Sequence, residues 1–152
     1  MFVSSARYNN DISALRDESQ GLLGTLDAFK NTMAYATYST DGQCTFASHV
    51  LLAILVYPHS TATSFSHVAM RVEGVEPDSH YKSFWQHLVN GGSFSDTVAR
   101  KSALGETKWL KASYVAVNKH GVTEIHAIYH DITEHENAYF AGKAVTDALN
   151  KS

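Results

Sequence analysis

Apolar side chains recur at helical spacing in the first part of the chain. Between residues 11 and 31 they lie three, four and seven residues apart, which places them on one face of a helix. These positions are Ile12, Leu15, Leu22, Leu26 and Phe29. Gly21 and Gly24 weaken the middle of this segment. The pattern predicts an N-terminal amphipathic helix within residues 1–32.

The elements that follow are short and are separated by turn residues. Residues 34–47 have the pattern of a strand hairpin, in which Gly42 can adopt the positive φ of a tight turn. A short apolar helix is predicted over residues 49–56, and Ser48 is suited to cap its first turn. A second short helix is predicted over residues 79–89. Each helix is bounded by one of the two prolines of the chain.

Three longer segments have the character of strands. They cover residues 93–101, 107–118 and 122–132 and are joined by two glycine-containing turns. A final apolar stripe predicts an outer helix over residues 134–150. Because strands and helices are segregated along the chain, this order indicates an α+β domain with an antiparallel sheet. We expect the short helices to cover one sheet face, and the outer helices to cover the other face or to extend away from it.

Composition and charge narrow the class of function. The net charge is -3 and there is no dense block of Lys or Arg, which argues against a nucleic-acid surface. The longest apolar run, residues 50–57, is too short to span a bilayer, and the N-terminus lacks the layout of a signal peptide. Cys44 is the only cysteine, so an internal disulfide is impossible. We therefore expect a cytoplasmic protein without membrane or nucleic-acid contacts.

Five segments, taken in this order, resemble the PAS sensory domains of bacterial methyl-accepting chemotaxis and aerotaxis receptors. They are the hairpin at 38–46, the helix at 48–57, Phe84-Trp85 with Leu88 and Gly91, Lys108-Trp109 with Tyr114, and Asp131-Ile132-Thr133. His67, Met70 and Arg71 lie where the aerotaxis type has a His and a Met-x-Arg-like segment. Two departures are Ser48, where the family has an Asn-rich helix start, and a Ser/Thr-rich segment at 57–65.

The resemblance implies both a fold and a function. The fold would be a five-stranded antiparallel sheet with short helices on one face, residues 33–133 forming the PAS domain and residues 134–152 a linker helix. Such domains sense signals through an interior pocket that holds haem b, a flavin such as FAD, a small acid or nothing. Asp131, Ile132 and Thr133 would relay a shift of the last strand to the linker helix. We also expect a homodimer and a downstream signalling domain in a longer chain.

Four histidines and one tryptophan are the candidate contacts to a ligand or cofactor. His67 and His80 lie near the predicted pocket, and either could be an axial ligand if haem is bound. His126 and His130 lie four residues apart on a strand and so share one face. They would contact a ligand if that face is inward and pack under a flanking helix if it is outward. Trp85 could stack on a flavin ring or anchor the core.

Two functions other than sensing are compatible with an α+β domain of this size. The apolar face that carries Leu15, Leu22 and Leu26 could pair with a second copy, which would make the chain a dimerisation module without a ligand. A small α+β enzyme is disfavoured, because the chain has neither a Gly-x-Ser-x-Gly elbow nor a phosphate-binding glycine loop. We therefore predict a sensory module and not an enzyme.

Overall fold

One long helix precedes five strands and several short helices in this computed structural model, which describes residues 5–58, 64–137, 142–143 and 149. The elements are α1 (Ser5–Thr32), β1 (Ala34–Ser39), β2 (Cys44–Ala47), α2 (His49–Leu55), a 3₁₀ turn (His67–Met70), α3 (Asp78–Val89), β3 (Ser93–Lys101), β4 (Thr107–Lys119) and β5 (Val122–Asp131). Residues 133–137 are again helical. The predicted order of elements is confirmed.

The five strands form one antiparallel sheet in the order β2-β1-β5-β4-β3. The last strand of the chain, β5, therefore lies at the centre, between β1 and β4. α2, the 3₁₀ turn and α3 contribute buried apolar side chains to the core on one sheet face, namely Leu51, Leu52, Leu55, Met70 and Leu88. The α+β class with an antiparallel sheet, expected from the sequence, is confirmed.

The inner face of the sheet alternates alanine with tyrosine. Tyr129 of β5 lies in register between Ala34 of β1 and Ala112 of β4. Tyr114 of β4 lies opposite Ala127 of β5. All five residues are buried. Because Tyr129 has a methyl group on both sides and Tyr114 has one on the side of β5, the two rings fit on adjacent strands, and their hydroxyls can meet under the helices.

The helix α1 begins at Ser5, within the predicted range and before the first apolar position of the pattern, and none of its residues is buried. It therefore extends away from the sheet over most of its length. Only near its end does it meet the domain, where the Lys30 ammonium lies 5.9 Å and 5.4 Å from the ring centres of Tyr35 and Phe46. The apolar face of α1 is left exposed to solvent.

The C-terminal helix predicted over residues 134–150 lies largely outside the described residues, which show its start at 133–137. In the described ranges, no helix combines the length and the apolar character that crossing a membrane requires.

Ser48 joins the start of α2 to the junction between α1 and β1. Its hydroxyl accepts hydrogen bonds from the backbone N–H groups of Leu51 at 3.2 Å and Tyr35 at 2.9 Å. It donates its proton to the carbonyl of Met33 at 2.7 Å. The bond from Leu51 is the helix cap predicted from the sequence. A serine hydroxyl has one proton and two lone pairs, so the Ser48 side chain makes all three hydrogen bonds that it can form.

Replacing Ser48 with alanine should lower the free energy of unfolding by about 2–3 kcal/mol, because a helix cap and two buried backbone partners are lost together. Urea denaturation measures this. Ser95→Ala is the matched control, since the exposed Ser95 hydroxyl has, within the described part of the chain, one hydrogen bond, to Ser113 at 3.1 Å. That control should change the free energy by less than about 0.5 kcal/mol. Equal effects of the two substitutions would contradict the structural role of Ser48.

Candidate functional site

His67 is fully buried between the short helices and the inner face of the sheet. It opens the 3₁₀ turn, and its backbone N–H donates to the carbonyl of Gly42 at 2.7 Å. Gly42 has a φ of 89° in the turn between β1 and β2, a value that favours glycine. The hairpin turn therefore holds the 3₁₀ turn in place and directs the imidazole into the interior.

A line of hydrogen-bonded side chains, which we call the hydroxyl chain, runs through this interior. The hydroxyls of Tyr38 and Tyr129 are 2.9 Å apart, and Tyr129 donates to the Tyr114 hydroxyl at 2.9 Å. Tyr114 is 2.9 Å from Nε2 of His67. Nδ1 of His67 is 2.7 Å from the Tyr81 hydroxyl. The chain therefore connects β1, β5 and β4 to the 3₁₀ turn and to α3.

The number of donors and acceptors determines the direction of the protons along this chain. The Tyr114 hydroxyl accepts from Tyr129 and from Nη2 of Arg100, at 3.3 Å, so both lone pairs are used. Its one proton is left for Nε2 of His67. His67 is then the neutral tautomer that carries its proton on Nδ1 and donates it to Tyr81. Each hydrogen bond of the hydroxyl chain thus has an assigned donor and an assigned acceptor.

Burial enforces these protonation states. It lowers the pKa of His67 well below its usual range, and the positive charge of Arg100 lowers it further. Burial is also the main reason that the pKa values of Tyr38 and Tyr129 lie well above the usual value. Near neutral pH the imidazole is uncharged and both phenols keep their protons, as the hydrogen-bond assignment requires.

Aromatic rings enclose His67 on several sides. The ring centres of Trp85, Tyr38 and Tyr114 lie 4.9, 5.1 and 5.5 Å from that of the imidazole. Phe84 of α3 is also within reach, at 5.9 Å. These distances are those of packed aromatic pairs. The interior around His67 is therefore occupied by the protein's own rings.

Arg100 of β3 brings a permanent positive charge to the edge of this interior. Its side chain is 1% exposed. Nη1 donates to the Ala99 carbonyl at 2.9 Å and to a carboxylate oxygen of Glu76 at 3.3 Å. The guanidinium also lies 5.8 Å from the ring centre of Phe84. A buried charge needs such partners, since its transfer from water is otherwise very costly.

The structure brings together two of the five residues predicted as ligand contacts, namely His67 and Trp85. His80 is exposed on α3. His126 and His130 alternate with the buried Ile125, Ala127 and Tyr129 and therefore lie on the outer sheet face, the second of the two orientations left open by the sequence. His126 there contacts the Tyr35 hydroxyl and lies 3.4 Å from Glu124, while His130 is exposed.

Neither haem nor a flavin fits the side chains around His67. Both ring nitrogens of His67 are hydrogen-bonded to tyrosine hydroxyls, which leaves none for iron. His80 lies on the surface of α3, away from the interior. Trp85 packs on His67, and its Nε1 donates to the carbonyl of Thr40 at 2.8 Å. Of its two predicted roles, this arrangement corresponds to a core anchor.

The tyrosines of the hydroxyl chain and Arg100 were not among the residues predicted as ligand contacts. A signal for the three strand tyrosines is present, because alanine and tyrosine alternate at 36 and 38, at 112 and 114, and at 127 and 129, whereas Tyr81 of α3 lacks it. That spacing puts each pair on one strand face. Arg100 has no comparable signal, since an arginine near the end of a polar strand is usually exposed.

Hydrogen bonds join the predicted signal relay to Trp109 of β4. The relay consists of Asp131, Ile132 and Thr133. The Ile132 N–H donates to the Trp109 carbonyl at 2.9 Å, and the Trp109 N–H donates to the Thr133 hydroxyl at 2.9 Å. The Thr133 N–H donates to the Asp131 carboxylate at 2.9 Å. We call this arrangement the Asp131–Thr133 latch. It lies two residues beyond Tyr129, where β5 gives way to the helical residues 133–137.

Comparison with known proteins identifies the fold. No protein-family model matches the chain, and no curated protein matches it. Among solved structures, a PAS domain of an HTR-like protein from Haloarcula marismortui is 14% identical, with 79% of this chain and 99% of that chain covered and a TM-score of 0.61. A domain of a sensory box sensor histidine kinase/response regulator from Geobacter sulfurreducens is 12% identical, with 72% and 94% covered and a TM-score of 0.61.

A LOV protein from Rhodobacter sphaeroides is also similar, at 12% identity, with 74% of this chain and 68% of that chain covered and a TM-score of 0.59. At these identities the similarity concerns the fold. The domain therefore has the PAS fold, as the sequence motifs predicted.

The buried state of His67 makes the stability of the domain depend on pH. In the unfolded chain a histidine takes up its proton near pH 6.5, whereas folded His67 does so only at a much lower pH. Below about pH 6.5 the unfolded state therefore binds more protons, and the free energy of unfolding falls by up to about 1.4 kcal/mol per pH unit. Urea denaturation between about pH 7 and pH 5 should show this slope, and His67→Gln should reduce it.

His126 contributes to the same slope, because its pKa is lowered, chiefly by burial. His67→Gln should therefore flatten the dependence without abolishing it. His130→Gln, which removes an exposed imidazole, is the control. An unchanged slope in His67→Gln would show that His67 is not buried in its neutral form.

Proposed function

We propose that this chain is a sensory PAS domain of a signal-transduction protein, in which a change in the interior is passed through β5 to the helix that follows. The main support is the course of the hydroxyl chain. It leads from His67 through Tyr114 to Tyr129 on the central strand, two residues before the Asp131–Thr133 latch. The sensor-kinase and LOV relatives in fold agree with this class of function.

The relay would work through alternative hydrogen bonds, not through large movements. If a ligand draws Arg100 away from Tyr114, one lone pair of that hydroxyl becomes free. Tyr114 can then accept from Nε2 of His67 and donate its own proton to Tyr129, so that the hydroxyl chain reverses and Tyr129 donates to Tyr38 instead. Tyr129 and the latch lie on the same strand, so a shift of β5 would alter the bonds to Trp109. For this to be a signal, the ligand must prefer one of the two arrangements.

A finer assignment, to chemotaxis- or aerotaxis-type receptors, rests on the sequence motifs. Phe84-Trp85 with Leu88 and Gly91, and the Asp131-Ile132-Thr133 end of β5, carry that resemblance. In such a receptor the domain would be cytoplasmic, and a signalling domain would follow the linker helix. A small molecule would be the partner of the interior, and no enzymatic activity is proposed.

The relay is tested by hydrogen exchange after the chain is broken at one hydroxyl. In Tyr129→Phe the amides of Trp109, Ile132 and Thr133 should exchange about fivefold faster, as expected if about 1 kcal/mol of hydrogen bonding is transmitted to the latch. Amides of α2, which carries no member of the hydroxyl chain, serve as the internal reference and should change less.

Tyr57→Phe is the matched control for this measurement. The Tyr57 ring stacks on Phe65 at 4.9 Å, and its hydroxyl is no part of the hydroxyl chain. If the latch amides keep their protection in Tyr129→Phe, or respond equally to Tyr57→Phe, the proposed relay is wrong.

A second function, dimerisation, is favoured by the exposed face of α1. Leu15, Leu22 and Leu26 are 61%, 62% and 54% exposed on one side of a helix that buries none of its residues. The stripe continues into an apolar groove of about 290 Å³ between the end of α1 and the outer sheet face, lined by Leu26, Phe29, Lys30, Met33, Tyr35 and Ile128. A second copy of α1 is the occupant that this stripe fits, because apolar helix faces of equal spacing pair with each other.

Sedimentation velocity of the double variant Leu22→Glu with Leu26→Glu tests this role. The wild-type chain should sediment as a dimer and the variant as a monomer, because four charges would have to be buried in the pair. Ser13→Glu with Gln20→Glu adds the same charge on the opposite side of α1 and should remain dimeric. A dimer that survives the leucine substitutions would exclude pairing through this face.

A further inference from the structure

Arg100 uses only part of its hydrogen-bonding capacity among the described residues. Its partners use three of the five N–H groups of the guanidinium, namely two on Nη1 and one on Nη2. Among the described residues, Nε has no partner, although it is shielded from solvent. The contact to Glu76, at 3.3 Å, is longer than the roughly 2.7–2.9 Å of a strong charge-assisted hydrogen bond.

This arrangement leaves binding capacity for a carboxylate. A buried donor without a partner costs its full desolvation penalty, and a guanidinium can donate to both oxygens of one carboxylate at once. Glu76 meets this demand only in part, because it contacts a single nitrogen and its side chain remains 24% exposed. A carboxylate that accepted from both Nη1 and Nη2 would satisfy Arg100 better than Glu76 does.

A cleft beside Arg100 offers the space for such a group. It has a volume of about 180 Å³ and lies along β3, next to the segment that carries Val75 and Glu76. Its other walls are mainly apolar and include Phe94, Val98 and Trp109. The volume lies below the roughly 300–1,000 Å³ of sites for drug-sized molecules, so the occupant must be small.

We propose that this cleft binds a small monocarboxylate with an apolar body, whose carboxylate replaces that of Glu76 on Arg100. The apolar walls suit the body of such a molecule, and the single guanidinium suits one negative charge. Phosphate is less well matched, because Arg100 is the one cationic side chain in the described cleft lining. The larger negative charge of phosphate would also be repelled by the Glu76 carboxylate. Glu76 then acts as a built-in occupant that the ligand must displace.

Glu76 can leave Arg100 without unfolding its own segment. Its backbone carbonyl accepts two hydrogen bonds from Arg71, from Nε at 3.3 Å and from Nη2 at 3.2 Å, and Arg71 also forms an ion pair with Asp78. The backbone is thus held by one arginine and the carboxylate by another. Displacement of the side chain therefore needs only rotation about its own bonds.

Occupation of the cleft would reach the hydroxyl chain through one contact. Arg100 donates from Nη2 to the Tyr114 hydroxyl at 3.3 Å, and a ligand that draws the guanidinium toward itself would weaken that bond. Tyr114 is the member that links His67 to Tyr129. Ligand binding in the cleft would therefore be the input of the proposed sensor. This consequence rests on the proposed function, whereas the binding itself does not.

Isothermal titration with butyrate tests the site, with butyramide as the uncharged probe of the same shape and inorganic phosphate as the alternative anion. Butyrate should bind saturably, and butyramide should not. Glu76→Gln should bind butyrate about tenfold more tightly, because the competing charge is removed while the shape is kept. Arg100→Gln should lose the binding, and circular dichroism reports whether that variant is folded.

Fluorescence locates the binding. In Trp85→Phe, Trp109 is the only tryptophan left, and its emission should change as butyrate fills the cleft. The proposal is overturned if butyrate binds neither the wild type nor Glu76→Gln, if butyramide binds equally well, or if phosphate binds and butyrate does not. Glu76→Gln decides the matter even if Arg100→Gln does not fold.

Failure of this site and failure of the relay give different results. Absent butyrate binding with a normal response of the latch amides in Tyr129→Phe would overturn the ligand and leave the relay standing. Saturable butyrate binding with unchanged latch amides would establish the site and overturn the relay.

Discussion

The hydrogen bonds of the Tyr114 hydroxyl are the interaction on which the interior of this domain depends. One oxygen joins Arg100 of β3, Tyr129 of β5 and His67 of the 3₁₀ turn. Each of these three groups is buried. Removing the Tyr114 hydroxyl would leave each of them with one hydrogen-bond partner fewer. An unpaired buried polar group costs about 1–3 kcal/mol, so this contact determines whether a charge, an imidazole and a phenol can share one small interior.

The sheet allows these polar side chains to meet because small and large side chains lie next to each other on its inner face. Tyrosine rings on neighbouring strands would collide if every inward position were large, and here alanines separate them. Ala34 and Ala112 flank Tyr129, and Ala127 lies opposite Tyr114. On this face, large tyrosine rings therefore lie beside small alanine side chains. Its polar atoms lie at the tips of the rings, above the sheet and below the helices.

The interior and the exterior of the domain differ in how completely their groups are paired. Around His67 the polar atoms have partners, and among the described interior residues the exception is Nε of Arg100. The helix α1, in contrast, presents an apolar face that the domain itself does not cover. Groups that the fold leaves incomplete are those where a ligand or a second chain gains most by binding.

Local chemistry in the sequence determined the order of elements, the hairpin turn at Gly42 and the cap at Ser48, because each depends on residues close together in the chain. The interior site depends on partners far apart. Arg100 resembles an ordinary exposed arginine, and His67 and His126 were equal candidates. Only the pairing of β5 with β1 and β4 turns His126 outward and brings Tyr129 to Tyr114. A shift of one residue in that register would exchange the two faces, and register is a property of the folded sheet as a whole.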